Sequence, residues 1–132
     1  MMDTTVLLRR AAMRWRDRPA VALGERTLAT FAELDDRASH LAGAFAGRLG
    51  LLPGDRIALA MTNAPAYLEI LFGAWYAGLA AVPMNAKLHP REFAYILKNS
   101  SARACFASTE LMDAISGGAN EVLSVEHWIE VG

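Results

Sequence analysis

Residues 70–84 carry no charged side chain, and this run limits the possible folds more than any other stretch of the 132-residue chain. About twenty apolar residues are needed to cross a bilayer, so a run of fifteen has to be covered by protein instead. Glu69 closes one end, while Gly78 and Pro83 interrupt it. The run therefore reads as a buried helix followed by a buried strand.

The flanking sequence extends that alternation. Residues 20–23 and 26–28 flank Gly24-Glu25, the form of a two-residue hairpin turn. Thr30-Phe31-Ala32-Glu33 has the form of a capping box, in which the Thr hydroxyl and the Glu carboxylate satisfy each other's backbone amides. Leu34, Ala38, Leu41, Ala42, Phe45 and Leu49 follow at helical spacing, with Gly50 where a left-handed residue ends a helix. Pro53-Gly54 predicts a turn into a strand over 57–61, suited to cover on both faces. Asn63 is a candidate cap for the helix that enters the uncharged run. Pro90 starts a helix with Phe93, Ile96 and Leu97 on one face. A strand is expected over 104–107, a short helix over 111–115, a break at Gly117-Gly118 and a last strand around 122–125. Such alternation implies βαβ crossovers and a mostly parallel sheet with helices on both faces, preceded by an N-terminal helix and a small hairpin.

Thirteen basic and fourteen acidic residues leave a net charge of −1, so no global field draws the chain to nucleic acid or to an anionic membrane. The local exception is Arg9, Arg10, Arg14, Arg16 and Arg18, relieved by Asp17. Transit peptides are Arg-rich but poor in acids. Asp3 and Asp17 oppose that reading, and Leu8, Ala11, Ala12 and Trp15 form an apolar helical stripe. A docked first helix with a solvated face is expected. Cys105 is the only cysteine and excludes an intrachain disulfide; with no secretory segment visible, the expected setting is the cytoplasm. Its neighbours Ala104, Phe106 and Ala107 make it a structural thiol.

Residues able to do chemistry are scattered. His40, His89 and His127 are too widely spaced for a local metal motif and are expected in surface or capping roles. There is no Gly-x-Ser-x-Gly elbow, no Gly-x-Gly-x-x-Gly fingerprint and no Gly-Lys-Ser/Thr loop. Gly43, Gly47, Gly73 and Gly78 read instead as permitting close helix packing. Asp35 and Asp36 read as partners of a helix dipole. No catalytic residue and no metal ligand is assigned.

Several segments, in order, resemble the N-terminal region of the adenylate-forming superfamily of acyl- and aryl-CoA synthetases, nonribosomal adenylation domains and luciferases. They are Thr30-Phe31-Ala32-Glu33-Leu34, then Gly50 with Pro53-Gly54-Asp55-Arg56-Ile57-Ala58-Leu59, and Asn63. Ala77-Gly78-Leu79-Ala80-Ala81-Val82-Pro83-Met84-Asn85 and Leu88-His89-Pro90-Arg91-Glu92-Phe93-Ala94-Tyr95-Ile96-Leu97 follow. Each is a scaffold position with an ordinary structural use; their joint order carries the resemblance. Asn85 stands where nonribosomal domains usually have aspartate, which favours the acyl-CoA synthetase branch.

The resemblance implies a complete enzyme that uses ATP and Mg2+ to make an acyl-adenylate from a carboxylic acid and then acylates coenzyme A. The family's phosphate loop, its Tyr-Gly-x-Thr-Glu segment, its ribose-binding aspartate and its late lysine do not occur in these residues. Residues 1–132 are thus expected to be an incomplete subdomain, the N-terminal part of the large domain, inactive alone and prone to self-association through an exposed strand edge. The chain's abrupt end at Gly132 is read as truncation. The rival is a free-standing noncatalytic binding module on the same scaffold; a third reading has a separate polypeptide completing the enzyme. One ligand contact follows from the resemblance: Lys87 matches a site where some members carry a basic residue near the 3′-phosphate of coenzyme A. An ordinary solvated lysine is the other reading of Lys87.

Overall fold

The computed structural model describes residues 4–62, 65–118, 122 and 124–132. Helix α1 (Thr4–Arg14) leads into a hairpin of β1 (Pro19–Leu23) and β2 (Arg26–Thr30), and α2 (Phe31–Gly47) follows directly. The remaining elements alternate: β3 (Arg56–Ala60), α3 (Pro65–Tyr76), β4 (Ala80–Pro83), α4 (Pro90–Ser100), β5 (Ala104–Ser108), α5 (Thr109–Gly118) and β6 (His127–Val131). β1 and β2 pair antiparallel; the other four strands form a parallel sheet in the order β4-β3-β5-β6.

The sheet is covered on both faces because its central strands are apolar on both sides. Ile57 and Leu59 of β3 and Phe106 of β5 pack against Phe45 of α2 and Ile70 and Ala74 of α3. The Phe45 and Phe106 rings meet edge to face at 5.6 Å. On the other face Ala58, Ala60, Cys105 and Ala107 lie beneath Phe93 and Leu97 of α4 and Ile115 of α5. Burial pushes the Cys105 thiol up to about 12, as suits a structural cysteine. Among the described residues, no helix is long and apolar enough to cross a membrane.

A third layer joins α1 and the hairpin to the outer side of α2 and α3, with Leu8, Leu34 and Ala38 buried at its centre. Here Tyr76 donates to Asp35 Oδ1 at 2.5 Å, and the Arg9 guanidinium sits 4.8 Å from the centre of the Tyr76 ring. Burial, helped by the Asp35 carboxylate, drives the Tyr76 phenol well above its usual range. Asp35 therefore serves as a tertiary acceptor. It lies past the first turn of α2, where Glu33 alone supplies acid, so the dipole role expected of Asp35 and Asp36 is corrected.

Local signals account for most element ends. Thr30 and Glu33 form the capping box: the Glu33 amide donates to Thr30 Oγ1 at 3.2 Å and the Thr30 amide to Glu33 Oε1 at 3.0 Å. Gly24 has φ +61 at the first position of the hairpin turn, the need that only glycine meets easily there.

Three expectations are corrected. The last strand is His127–Val131, while 122, 124 and 125 lie outside any strand. α5 extends from Thr109 to Gly118, longer at both ends than the 111–115 expected, and ends at the second of the two glycines. β4 is an edge strand with Ala80 and Pro83 exposed, so the strand half of the uncharged run is only partly covered. Of the four glycines expected to permit helix packing, Gly73 does so, whereas Gly78 lies past the end of α3 with φ +77 and packs on the turn before β3. A Cβ at Gly73 would lie 2.9 Å from Leu41 Cβ, and one at Gly78 3.2 Å from Pro53 Cβ. Around Gly43 and Gly47 a Cβ would meet nothing within 4 Å. The candidate cap Asn63 lies outside the described residues.

Candidate functional site

Ligands of open parallel sheets bind beyond the carboxyl ends of the strands, where successive crossovers leave in opposite directions. In this sheet that point lies between β3 and β5. The chain leaves β3 through α3, over one face, to reach β4; it leaves β5 through α5, over the other face, to reach β6. The two departing segments separate and leave a cleft at the strand ends.

The cleft floor is polar. The Thr62 amide donates to Ser108 Oγ at 2.9 Å, the Thr62 and Ser108 hydroxyls are 3.4 Å apart, and Thr62 Oγ1 reaches Glu110 Oε1 at 3.3 Å. Ser108 is buried, whereas Glu110 is exposed at the start of α5. Met61, Pro65, Ala66, Thr109 and Val131 complete the walls of a hollow of about 310 Å³. A second hollow of about 320 Å³ shares Met61 and Thr62 and runs along the end of β4 past Tyr67, Met84, Asn85 and Lys87.

Lys87 thus lies on this C-terminal edge, exposed, in the turn after β4. Asn85 shapes that turn by accepting the Lys87 amide on Oδ1 at 2.9 Å, and the Leu88 amide donates to the Asn85 carbonyl at 3.1 Å. No carboxylate among the described residues lies within ion-pair distance of the Lys87 ammonium.

The Ser108 hydroxyl accepts the Thr62 amide and is linked to the Glu110 carboxylate through the Thr62 hydroxyl. The histidines are occupied elsewhere. His89 caps α4, accepting the Arg91 amide on Nδ1 at 3.2 Å; His40 Nδ1 meets the Asp36 carbonyl at 2.8 Å; His127 Nε2 meets the Leu49 carbonyl at 3.0 Å. The capping and surface roles expected of them hold for His89 and His40, while His127 is half-buried and ties β6 to the segment after α2. Among the described residues no three His, Cys, Asp or Glu side chains come together as a metal cluster.

Of the residues around this cleft, sequence reasoning named Lys87, as an expected ligand contact, and did not name Thr62, Ser108 or Glu110. These are separated by 46 and 48 positions and meet only because β3 and β5 are neighbours. The available signal was that each follows or ends an apolar strand.

A larger apolar hollow of about 460 Å³ opens between the hairpin and α3, walled by Val21, Leu23, Leu28, Leu68 and Leu71. It offers little beyond Tyr67 to orient a polar ligand.

Comparison with known proteins gives this geometry a context. The family model described as AMP-binding enzyme matches residues 8–130. A long-chain-fatty-acid–CoA ligase of Salmonella typhimurium is 36% identical over 124 residues, 93% of this chain but 22% of its own length. The N-terminal domain of FACL13 from Mycobacterium tuberculosis superposes with a TM-score of 0.91 at 26% identity, over 99% of this chain and 34% of that one. A benzoate CoA ligase from Burkholderia xenovorans gives 0.88 at 30% identity, covering 100% of this chain and 26% of its own. The chain therefore spans about a fifth to a third of the proteins it resembles.

Proposed function

Since this chain belongs to the AMP-binding enzyme family, we propose that residues 1–132 form the N-terminal part of the large domain of an AMP-forming acyl-CoA synthetase. The observation that carries this reading is the family match over residues 8–130, joined to relatives whose names are those of CoA ligases. The whole protein would join a carboxylic acid to coenzyme A by way of an acyl-adenylate. Fatty and aromatic acids both occur among the relatives' names.

In this reading the 132 residues are scaffold. They contain no phosphate loop and no late catalytic lysine, and the described residues form no carboxylate cluster for Mg2+. ATP and magnesium are accordingly assigned no residue here. Coenzyme A is assigned one, Lys87, as a contact to the 3′-phosphate. Its support is an exposed ammonium at the C-terminal end of a parallel strand, bordering the polar cleft. The proposed setting is the cytoplasm, which the single buried cysteine supports. The outer edges of β4 and β6 are the strand edges through which the free chain is proposed to self-associate.

Pyrophosphate release tests the proposal. With ATP, magnesium and a panel of carboxylic acids, the purified 132 residues should stay at background, whereas the polypeptide continued through the phosphate loop and late lysine should form acyl-CoA. Carboxylate-dependent release by the 132 residues alone would overturn the scaffold reading. A continued polypeptide that forms no adenylate would favour the noncatalytic module.

A further inference from the structure

Helix α3 is apolar on every side, yet only part of it is covered. Glu69 is its one charged residue between Pro65 and Tyr76, and a helix without a polar face belongs inside a core. Ile70 and Ala74 join the core over β3 and β5, Gly73 abuts α2, and Phe72 and Tyr76 pack with Leu8, Leu34 and Ala38. At about 3.6 residues per turn, Leu68, Leu71 and Trp75 fall together on the remaining flank. Leu68 is 37% exposed, and Leu71 and Trp75 are half-buried. The hairpin stands beside this flank. Its Val21, Leu23 and Leu28, with Leu68 and Leu71, wall the apolar hollow of about 460 Å³, and Leu23 is 72% exposed. Two strands alone make a marginal sheet, and among the described residues β1 and β2 pair only with each other.

We propose that this hollow is an internal interface: in the complete large domain, aliphatic or aromatic side chains from the rest of the polypeptide fill it. The inference rests on the reading of residues 1–132 as part of that domain. The chain accounts for 34% of the solved N-terminal domain that it superposes on. Most of such a domain therefore lies in other sequence, and the parts of one domain share a core. A surface that enters a shared core has to be apolar, concave and uncovered, and the walls of this hollow are all three. A small ligand would find few polar groups to orient it. A second copy of these residues would leave the remainder of the domain without this seat.

Thiol labelling tests this, with peptide mapping to identify each modified residue. Leu68→Cys and Leu23→Cys place thiols on the hollow's walls, and the buried Cys105, unreactive while the fold holds, reports folding in each variant. Leu23, the more exposed of the two, keeps the test open should Leu68→Cys unfold. Both introduced thiols should label readily in the 132 residues. In the polypeptide continued through the late lysine they should label at least about tenfold more slowly. Equal rates in the two polypeptides, with Cys105 protected in both, would overturn the proposal; if that continued polypeptide still formed acyl-CoA, the synthetase reading would stand without it. A continued polypeptide that protects both thiols but forms no adenylate would support the interface and count against the synthetase reading. Slowing in the 132 residues that grows with protein concentration would overturn the proposal in favour of a second copy. Slowing there by added decanoate would overturn it in favour of a small apolar ligand.

Discussion

Arg103 donates from Nη1 to Asp55 Oδ2 at 2.6 Å, fastening the approach to β5 onto the turn that precedes β3. The same guanidinium donates from Nη2 to Glu126 Oε2 at 2.8 Å, ahead of β6. Three parallel strands are thereby tied at their amino ends, opposite the polar cleft.

That network predicts acid sensitivity. The Leu52 amide, then the Arg103 guanidinium, holds the Asp55 carboxyl below its ordinary 3.8, and Arg103 holds Glu126 below its ordinary 4.5. Groups depressed by folding contribute stability that is present above their unfolded values and lost as pH falls through their folded ones. The urea midpoint should therefore drop as pH falls below about 4. Asp55→Asn should lower the midpoint at neutral pH and flatten that acid limb; an acid limb identical to the parent's would remove Asp55 from the account.

Thr30→Ala should cost roughly 1 kcal/mol in urea unfolding, because it leaves the Glu33 amide without its acceptor. A midpoint unchanged within error would mean that α2 does not depend on this box.

Two glycine substitutions should act in opposite directions. Gly73→Ala forces a methyl to within 2.9 Å of Leu41 Cβ and 3.2 Å of the Ala38 carbonyl oxygen, so α2 and α3 have to separate. A loss of about 1–3 kcal/mol is expected. Gly43→Ala adds its methyl in open space within a helix and should gain roughly 0.5–1 kcal/mol. Equal effects of the two in thermal unfolding would deny the close approach at Gly73.

In the polypeptide continued to full length, Lys87→Ala should raise the KM for coenzyme A and leave formation of the acyl-adenylate unchanged. An equal loss in both half-reactions would point to damage to the fold and would remove Lys87 from the coenzyme A site.

Sedimentation over a range of concentrations should show dimers or larger species of the free chain, formed through an outer strand. A monodisperse monomer at high concentration would show that β4 and β6 protect their own edges; Pro83, which lacks an amide, already removes one donor from β4.

What could be read from sequence was what neighbours in sequence decide. Thr30 with Glu33, Gly24, Gly50 and Pro90 mark element ends through bonds and dihedrals within a few residues, and each is used as its local chemistry requires. The last strand was misplaced because 122–125 is as apolar as a strand needs to be. Pairing decides instead: Ala104 aligns with His127 and Ser108 with Val131, so β5 selects the later segment. Asp35 likewise gave no sign of Tyr76, and Thr62 gave none of Ser108, since both partnerships arise only when distant elements pack. The position of Lys87 just after β4 was legible because Pro83 ends that strand locally.

The sheet's register has a consequence for how this chain reaches its native state. Ile57 pairs with Ala104, and α3, β4 and α4 all lie between them. The hairpin and the capped α2, by contrast, close over short spans of chain. Closing a long loop costs entropy before its contacts return any enthalpy. The β1–β2 and α2 segments are therefore expected to order early, with the pairing of β3 to β5 as the slow step. Substitutions at Ala58 or Cys105 should then change the refolding rate, and Thr30→Ala, which removes the cap of the early α2, should slow refolding with little effect on unfolding.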